Sequence, residues 1–364
     1  MVVILSEVDK ILLTGACMLY KTIAKDNFRR TVEGLMQDNH VFGPKWRDYD
    51  ADGNKVYRFL KLNDFEELQM DYTRTYSSPK NFFLPFKETL ATYNLHETEW
   101  DQEIRYTVHP RVIVGMRACD INALRKLDEV MIKSAFPNPY YFARRRNTII
   151  IGLDHEPLED CFCRSVDADV VFKGFDLFLT DIGEKYFVAI GSDTGYRIIE
   201  SYGGEDVTET DQDDYKTVKR QIESKFKTQV DVTIVPELMD LEFESDVWKK
   251  WGDKCMSCGS CAMVCPTCYC YGVEESVDLS FSKATKQRFL YSCNLIDFAA
   301  VAGDHNFRPE PHIRLKYRYY HQFRGFVEAF NQSLCVGCNR CGVACLAGIN
   351  PKDVIDDLNE TEKR

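Results

Sequence analysis

Residues 255–270 read CMSCGSCAMVCPTCYC, and residues 335–345 read CVGCNRCGVAC. We call these segments the first burst and the second burst. The spacing C-x2-C-x2-C-x3-C occurs in both, at Cys255, Cys258, Cys261 and Cys265, and at Cys335, Cys338, Cys341 and Cys345. Three closely spaced thiolates followed by a fourth are typical of chains that hold [4Fe–4S] clusters. The two bursts therefore predict two such clusters.

The spacing also predicts which cysteines share a cluster. In two-cluster bacterial ferredoxins, the fourth cysteine of each burst ligates the other cluster. We expect Cys255, Cys258, Cys261 and Cys345 on cluster 1, and Cys335, Cys338, Cys341 and Cys265 on cluster 2. Structural zinc is the alternative, but zinc sites usually pair two C-x2-C knuckles, and each burst here supplies three close thiols plus a fourth. Gly259, Gly337 and Gly342 suit a tightly wound chain.

Length and charge narrow the class of protein. The chain has 364 residues, 15 cysteines and a net charge of −11. This length suits two domains, and the negative charge argues against a nucleic-acid partner. No apolar run is long enough to span a membrane, and the N-terminal stretch does not have the pattern of a signal peptide. We therefore expect a cytoplasmic protein, in which clustered thiols more often bind metal than form disulfides.

The chain divides into two predicted domains. Residues 1–240 are expected to form an α/β domain, and 241–364 an α-rich, dicluster ferredoxin-like domain with an insertion at 271–334. Residues 111–153 have the pattern of a βαβ unit, with Asp120 at the N-cap position of its helix. The acidic segment 200–217 has the composition of a solvated loop.

Beyond the cysteines, longer stretches carry a family resemblance. They include SCNLIDFAAVAGDHNFRP (292–309), SSPKNFFLPFKETL (77–90), GMRACDINAL (115–124), YYFARRRN (140–147) and CFCRSVDAD (161–169). With the two bursts, they resemble the iron–sulfur β subunit of cytoplasmic sulfhydrogenases. They are equally similar to the dicluster iron–sulfur subunits of anaerobic sulfite reductase and of heterodisulfide-reductase-linked complexes. The resemblance implies electron transfer between a partner that contains flavin and a catalytic partner of hydrogenase, sulfite reductase or heterodisulfide reductase type.

A third metal site is predicted in the N-terminal domain. Cys119 follows the first strand of the βαβ unit, Asp154 and His155 follow the second, and Cys161 and Cys163 come on the same loop. The carboxyl ends of neighbouring strands share one crevice, where ligands bind. The resemblance implies a four-cysteine site with Asp154 in place of one cysteine. We expect a third [4Fe–4S] cluster on Cys119, Asp154, Cys161 and Cys163, with His155 as the substitute for Asp154, or else a site that has lost its cluster.

Several residues have more than one interpretation from sequence alone. Cys268, Cys270 and Cys293 pack beside the clusters, form a further site with a donor from elsewhere, or include one that lends a ligand to a neighbouring cluster. The basic residues between the bursts either stabilise reduced clusters, dock a partner or lie on a solvated helix; they are Arg308, Arg314, Lys316, Arg318 and Arg324. Arg144, Arg145 and Arg146 have the same alternatives, and Cys17 is expected to pack as a small apolar residue.

Three functions compete at this point. The first is an electron-transfer subunit with no substrate site of its own. The second is a reductase whose substrate binds at a site-differentiated cluster near Asp154, and the third is a scaffold that uses zinc for folding. The sequence contains neither G-x-G-x-x-G nor a P-loop, so it gives no support to nucleotide binding.

Overall fold

The computed structural model describes residues 18–50, 53–95, 100–104, 106 and 108–361. Cys17 and the N-terminal stretch that entered the prediction of a cytoplasmic protein lie outside these ranges.

Thirteen strands and twelve α-helices form within the described ranges. The strands are β1 (Leu19–Ala24), β2 (His40–Tyr49), β3 (Lys55–Lys61), β4 (Lys87–Leu95), β5 (Trp100–Ile104), β6 (Arg111–Met116), β7 (Thr148–Leu153), β8 (Leu177–Asp181), β9 (Lys185–Ile190), β10 (Tyr271–Val277), β11 (Lys283–Leu290), β12 (Ala300–Val301) and β13 (His305–Asn306). The helices are α1 (Lys25–Asp38), α2 (Ala118–Met131), α3 (Pro139–Arg146), α4 (Asp193–Ser201), α5 (Glu209–Ser224), α6 (Val235–Leu241), α7 (Asp246–Gly252), α8 (Ser260–Val264), α9 (Pro311–Tyr320), α10 (Phe326–Phe330), α11 (Arg340–Val343) and α12 (Pro351–Thr361).

A seven-stranded mixed sheet dominates the N-terminal half, in the order β1-β9-β8-β7-β6-β2-β3. Its central strands β8, β7, β6 and β2 are parallel, and the outer pairs are antiparallel. The predicted βαβ unit is confirmed, because β6 and β7 pair in parallel, with Val112 opposite Ile149. Apolar β-branched residues fill both strands, as expected of strands that are covered on both faces. Their carboxyl ends place Cys119, Asp154 and His155 at one edge of the sheet.

Asp120 is not the N-cap of α2, as the sequence had indicated. The cap residue is Arg117, and Asp120 lies inside the first turn of the helix. A carboxylate at the N-cap would normally accept backbone N–H groups. Both oxygens of Asp120 instead accept hydrogen bonds from Arg340, so an ion pair distant in sequence replaces the local cap.

The expectation of a loop or linker at 200–217 holds only for residues 202–208, because α4 ends at Ser201 and α5 begins at Glu209. Helix α5 begins at Glu209, and its N-terminus is closed by a capping box between Thr208 and Asp211. Each side chain of that box satisfies a backbone N–H of the first turn, and this stabilises a helix whose surface is otherwise strongly charged. The acidic composition therefore marks the solvated face of a helix.

The predicted insertion adds strands to the N-terminal half. Strands β10 and β11 form a hairpin, and β11 pairs with β4 in a four-stranded sheet of order β10-β11-β4-β5. Glu88 on β4 binds Arg288 of the hairpin and Arg144 of α3, and all three side chains are buried. Arg145 pairs with Asp128, so these two residues of the arginine triplet have structural partners.

One apolar core surrounds the cysteine-rich segments. It contains Trp248 and Trp251 of α7, Leu315 and Tyr319 of α9, and residues of α12, together with the cysteine pair at 161 and 163. The N-terminal and C-terminal parts of the chain thus share their interior at the predicted metal sites. None of the helices in the described ranges combines the length and apolar character that crossing a membrane requires.

Candidate metal centres

The two bursts adopt the same backbone conformation at matching positions. The residue before the second cysteine and the residue after it have positive φ in both: Ser257 and Gly259 in the first burst, Gly337 and Asn339 in the second. A short helix follows each, α8 and α11. Left-handed residues favour Gly and Asn, and they turn successive cysteines and backbone N–H groups toward one point. The repeated spacing therefore folds into two equivalent cradles.

The first cavity is lined by three cysteines of the first burst and two of the second. These are Cys255, Cys258, Cys261 and Cys345, and Cys341 also reaches its wall. Cys258 is exposed, and the neighbouring side chains of Met256 and Leu346 are 65% and 75% exposed. The first cavity therefore opens at the surface through an apolar rim.

The second cavity is lined by three cysteines of the second burst and one of the first. These are Cys335, Cys338, Cys341 and Cys265. Phe162, Tyr319 and Phe323 close the remaining sides, and all three are buried. Burial raises the pKa of Cys335 to about 12 and also raises the pKa of Cys338, so a cation must displace these protons to bind here.

Polar donors point at the sulfurs in both cavities. The amide of Asn294 lies 3.1 Å from Cys261 Sγ, and the backbone N–H groups of Gly337 and Ile349 lie 3.3 Å from Cys335 Sγ and Cys345 Sγ. Hydrogen bonds of this kind stabilise negative charge on sulfur and set the reduction potentials of iron–sulfur clusters.

The charges around the cysteines fit an anionic group. Five buried cations, taking only the described residues, have no carboxylate in ion-pair distance: Lys80, Arg117, Lys126, Arg314 and Arg318. Several of them bind the bursts directly. Lys80 Nζ donates to the carbonyl of Cys268 at 2.8 Å, and Lys126 Nζ donates to the carbonyl of Cys335 at 2.9 Å. Burial lowers the pKa of Lys80 and lowers that of Lys126 to about 8, so these two side chains can lose a proton, whereas a guanidinium keeps its charge. Cysteine-ligated clusters would supply negative charge that compensates the buried arginines.

A third group of cysteines lies beside the second cavity. Cys119, Cys161 and Cys163 belong to one buried cluster, and Cys161 Sγ is 3.0 Å from Cys163 Sγ. The hydrogen bond from the Cys163 thiol lowers the pKa of Cys161 to about 7. The N–H of Phe162, between them, donates to the carbonyl of Gly337 at 2.9 Å. A side chain at Gly337 would collide with this loop, since its Cβ would lie 2.5 Å from Cys163 N.

The contacts of Asp154 give no support to the predicted role as fourth ligand. Its Oδ2 accepts hydrogen bonds from Lys219 Nζ at 2.7 Å and from Thr180 Oγ1 at 3.2 Å. An ion pair with lysine and ligation of iron compete for the same oxygen. The role of Asp154 as a ligand stays a prediction.

His155, the substitute ligand, has a buried Nδ1 that forms no hydrogen bond with any described residue. Burial, with the charges of Arg117, Lys219 and Arg340, lowers the pKa of His155 well below its ordinary value. A neutral imidazole with a free nitrogen is the form that binds metal.

Cys268 is buried beside Cys265, which lines the second cavity. Its Sγ accepts a hydrogen bond from Arg318 Nη1 at 3.2 Å, and the Cys268 thiol lowers the pKa of Cys265 by hydrogen bonding. Cys270 and Cys293 are mostly buried, with burial raising both pKa values. No three Cys, His, Asp or Glu side chains among the described residues lie close enough to bind a single metal ion, and this is as true of the predicted ligand cysteines in the two bursts as of these three. The contacts of Cys268 favour packing beside the clusters, and the alternatives for Cys270 and Cys293 stay open.

The basic residues between the bursts have different surroundings. Arg314, Lys316 and Arg318 of α9 are buried, which excludes a solvated face for them. Arg324 lies at the surface, where it pairs with Asp240 and Glu328. Arg308 stacks on Tyr317, with its guanidinium carbon 3.5 Å from the ring centroid.

Sequence reasoning missed one contact that joins the sites. Arg340, between Cys338 and Cys341, binds Asp120 and the backbone and hydroxyl oxygens of Thr75. The only signal available was the placement of Asp120 directly after Cys119, and of Arg340 inside CNRC. Neither pattern reveals a partner far away in the chain.

Comparison with known proteins agrees with this geometry. Residues 254–349, which contain both bursts, match the family model of the 4Fe-4S dicluster domain. The whole chain is similar to sulfhydrogenase 2 subunit beta of Pyrococcus furiosus, with 35% identity over 347 residues that cover 94% of this chain and 99% of the relative. A match of this extent includes the N-terminal half as well as the bursts. The chain therefore belongs to the family of sulfhydrogenase beta subunits and carries a C-terminal 4Fe-4S dicluster domain.

Proposed function

We propose that this protein is the iron–sulfur electron-transfer subunit of an anaerobic oxidoreductase complex of the cytoplasm. The observation that carries the proposal is the crossed lining of the two cavities: three cysteines of each burst line one cavity, together with the fourth cysteine of the other burst, and Cys341 reaches both. Cys255, Cys258, Cys261 and Cys345 would hold cluster 1, and Cys335, Cys338, Cys341 and Cys265 would hold cluster 2. When bound, each [4Fe–4S] cluster supplies a one-electron carrier.

A third cluster belongs to the proposal. Cys119, Cys161 and Cys163 would supply three ligands, and the fourth would come from Asp154 or His155. We favour His155, because its buried Nδ1 has no partner among the described residues, whereas the carboxylate of Asp154 is bound to Lys219. The chain would then hold three clusters.

The three cysteine groups are adjacent, and this favours a relay. Phe162, which separates Cys161 from Cys163, is also a wall of the second cavity. Cys341, Arg318 and Tyr319 line both the second cavity and the first. The groups thus extend from the buried sheet edge to the exposed Cys258, and buried aromatic side chains keep water from the interior part.

We infer that the exposed rim of the first cavity exchanges electrons with a partner protein of the complex. Met256 and Leu346 place apolar surface beside Cys258, and exposed apolar side chains around a metal centre favour contact with another protein. The partners proposed are a subunit that contains flavin and a catalytic subunit of hydrogenase, sulfite reductase or heterodisulfide reductase type.

The test is a reductive titration of the chain isolated without oxygen. The proposal predicts that a low-potential chemical donor reduces the clusters and that an added acceptor dye reoxidises them. It also predicts that sulfite and polysulfide leave the reduced chain unchanged. Consumption of either compound by the isolated chain would instead favour a reductase with substrate at a site near Asp154. The ion pair of Asp154 with Lys219 gives that alternative no support.

A further inference from the structure

Among the described residues, Arg318 is the one whose charge is placed to act on both predicted clusters. It lies on α9, it is 7% exposed, and it lines the first cavity and the second cavity. Tyr319 also lines both but is uncharged at neutral pH. Arg340 belongs to the second burst, but its charge is paired with Asp120.

The helix that carries Arg318 fixes its direction. Arg314 and Arg318 are four residues apart on α9 and share one face of that helix, and Gln322 lies in the π-helical turn 321–325 that follows it. Arg314 donates to Ser257 Oγ in the first burst at 2.9 Å, and Gln322 donates to Cys268 Sγ at 3.5 Å. The backbone carbonyl of Gln322 accepts the N–H of Leu334 at 2.8 Å, next to the second burst. Arg318 therefore lies in the chain between Arg314, which binds the first burst, and Gln322, which binds Cys268 and the residue before the second burst.

Within the described ranges, the charge of Arg318 has no local compensation. Its hydrogen-bond partner there is Cys268 Sγ, a neutral or weakly acidic thiol, and no described carboxylate forms an ion pair with it. A buried guanidinium in that situation is destabilising unless negative charge stands next to it. Both cavities lie next to it, and the cysteine sulfurs of both would bring that charge.

We propose that Arg318 is a shared counter-charge that raises the reduction potentials of cluster 1 and cluster 2 together. The inference rests on the proposed function, because it requires both clusters to be bound. An electron added near a fixed cation is stabilised by Coulomb attraction, which is strong in a dry interior. Since the cation touches both cavities, its removal should disfavour reduction at both.

The matched control is Lys316 on the same helix. It is also buried, but its Nζ donates to the carbonyl of Phe243 at 2.8 Å and it lines neither cavity. Lys316→Gln therefore removes a buried cation from α9 without removing charge from the cysteines. Arg318→Gln removes the positive charge from both cavities. Arg318→Lys keeps a positive charge but loses the planar, forked guanidinium group that reaches both cavities.

The experiment measures midpoint potentials by paramagnetic resonance on the anaerobically purified full chain. Arg318→Gln is expected to shift the equilibrium between reduced and oxidised cluster at least tenfold toward the oxidised form at both clusters. For one electron, this lowers each midpoint potential by about 59 mV. Lys316→Gln should leave both potentials unchanged. A shift at one cluster only, or at neither, would overturn the shared counter-charge.

Two further outcomes are separable from these. If Arg318→Gln does not assemble clusters, the midpoint potentials of Arg318→Lys test the proposal instead. Potentials lowered at both clusters, by less than is expected for Arg318→Gln, support it, and wild-type potentials at both contradict it. A wild-type chain without iron would refute the proposed function itself, whereas a loaded wild-type chain with unaltered variant potentials would refute the counter-charge alone.

Discussion

The guanidinium of Arg340 binds both carboxylate oxygens of Asp120, at 2.7 and 2.8 Å, across 220 residues of sequence. Both side chains are inaccessible to solvent. Asp120 follows Cys119 of the third group, and Arg340 lies between Cys338 and Cys341 of the second cavity. This ion pair therefore joins the sheet edge of the N-terminal half, with the third group of cysteines, to the second burst.

The first prediction concerns the stability that this pair provides. Asp120→Asn should destabilise the chain by about 3–5 kcal/mol, because it leaves a buried guanidinium without its counter-charge. The control is Asp240→Asn, which breaks the exposed pair with Arg324 and should cost about 0–1 kcal/mol. Anaerobic denaturant unfolding measures both. Similar losses in the two variants would contradict the importance assigned to the buried pair.

The second prediction tests the crossed ligation. Cys265→Ala should lose about half of the iron of the two C-terminal clusters, from the cluster of the second cavity, since Cys265 lines that cavity. Cys268→Ala is the matched control, because its sulfur lies beside Cys265 and should not be a ligand. A soluble relaxation agent distinguishes the clusters, because the first cavity opens at the exposed Cys258. If Cys265→Ala instead loses the paramagnetic signal of the cluster that the relaxation agent reaches, the crossed assignment is wrong.

The third prediction concerns the fourth ligand of the third group. If His155 completes it, the chain holds about twelve irons as three cubes of four, and His155→Ala loses up to about four of them. Cys119→Ala should damage the same site, and Asp154→Asn should retain its iron, because Asp154 is engaged with Lys219. Iron loss in Asp154→Asn with none in His155→Ala would restore Asp154 as the ligand.

The fourth prediction concerns the partner surface. Native purification without oxygen should recover the chain in a particle larger than a single copy, together with a flavin-containing subunit. Met256→Asp with Leu346→Asp should weaken that association at least about tenfold, because burying an unpaired carboxylate costs more than about 1.4 kcal/mol. Leu279→Asp, at the fully exposed hairpin end, should have no effect. Recovery of the wild-type chain as a lone monomer would contradict the inferred partners.

The spacing of the cysteines predicted a tightly wound chain in each burst, because the spacing of residues within a short segment determines its local geometry. The matching left-handed residues, such as Gly259 and Gly337, occur beside the second cysteine in both bursts. Ion pairs between residues that are far apart in the sequence leave no such pattern in the sequence. The partner of Asp120 lies 220 residues away and that of Asp154 lies 65 residues away, so only the fold brings them together.

The segment 200–217 was mispredicted for a different reason. Its acidic composition predicts a loop, but Thr208 and Asp211 have the spacing of a capping box. In the structure, that capping box begins α5. Composition reports that a segment is solvated, and a solvated helix has the same composition as a solvated loop. Cap residues carry the information that distinguishes the two.

The most direct test of the central claim is metal and sulfide analysis of the chain purified without oxygen. Two cubes held by the crossed cysteine sets require about eight irons and about eight acid-labile sulfides per chain, and about twelve of each if the third group is loaded. The colour should be brown, and reduction should produce paramagnetic signals of at least two clusters. Iron near zero with stoichiometric zinc would contradict the account, because zinc in the same thiolates cannot carry electrons.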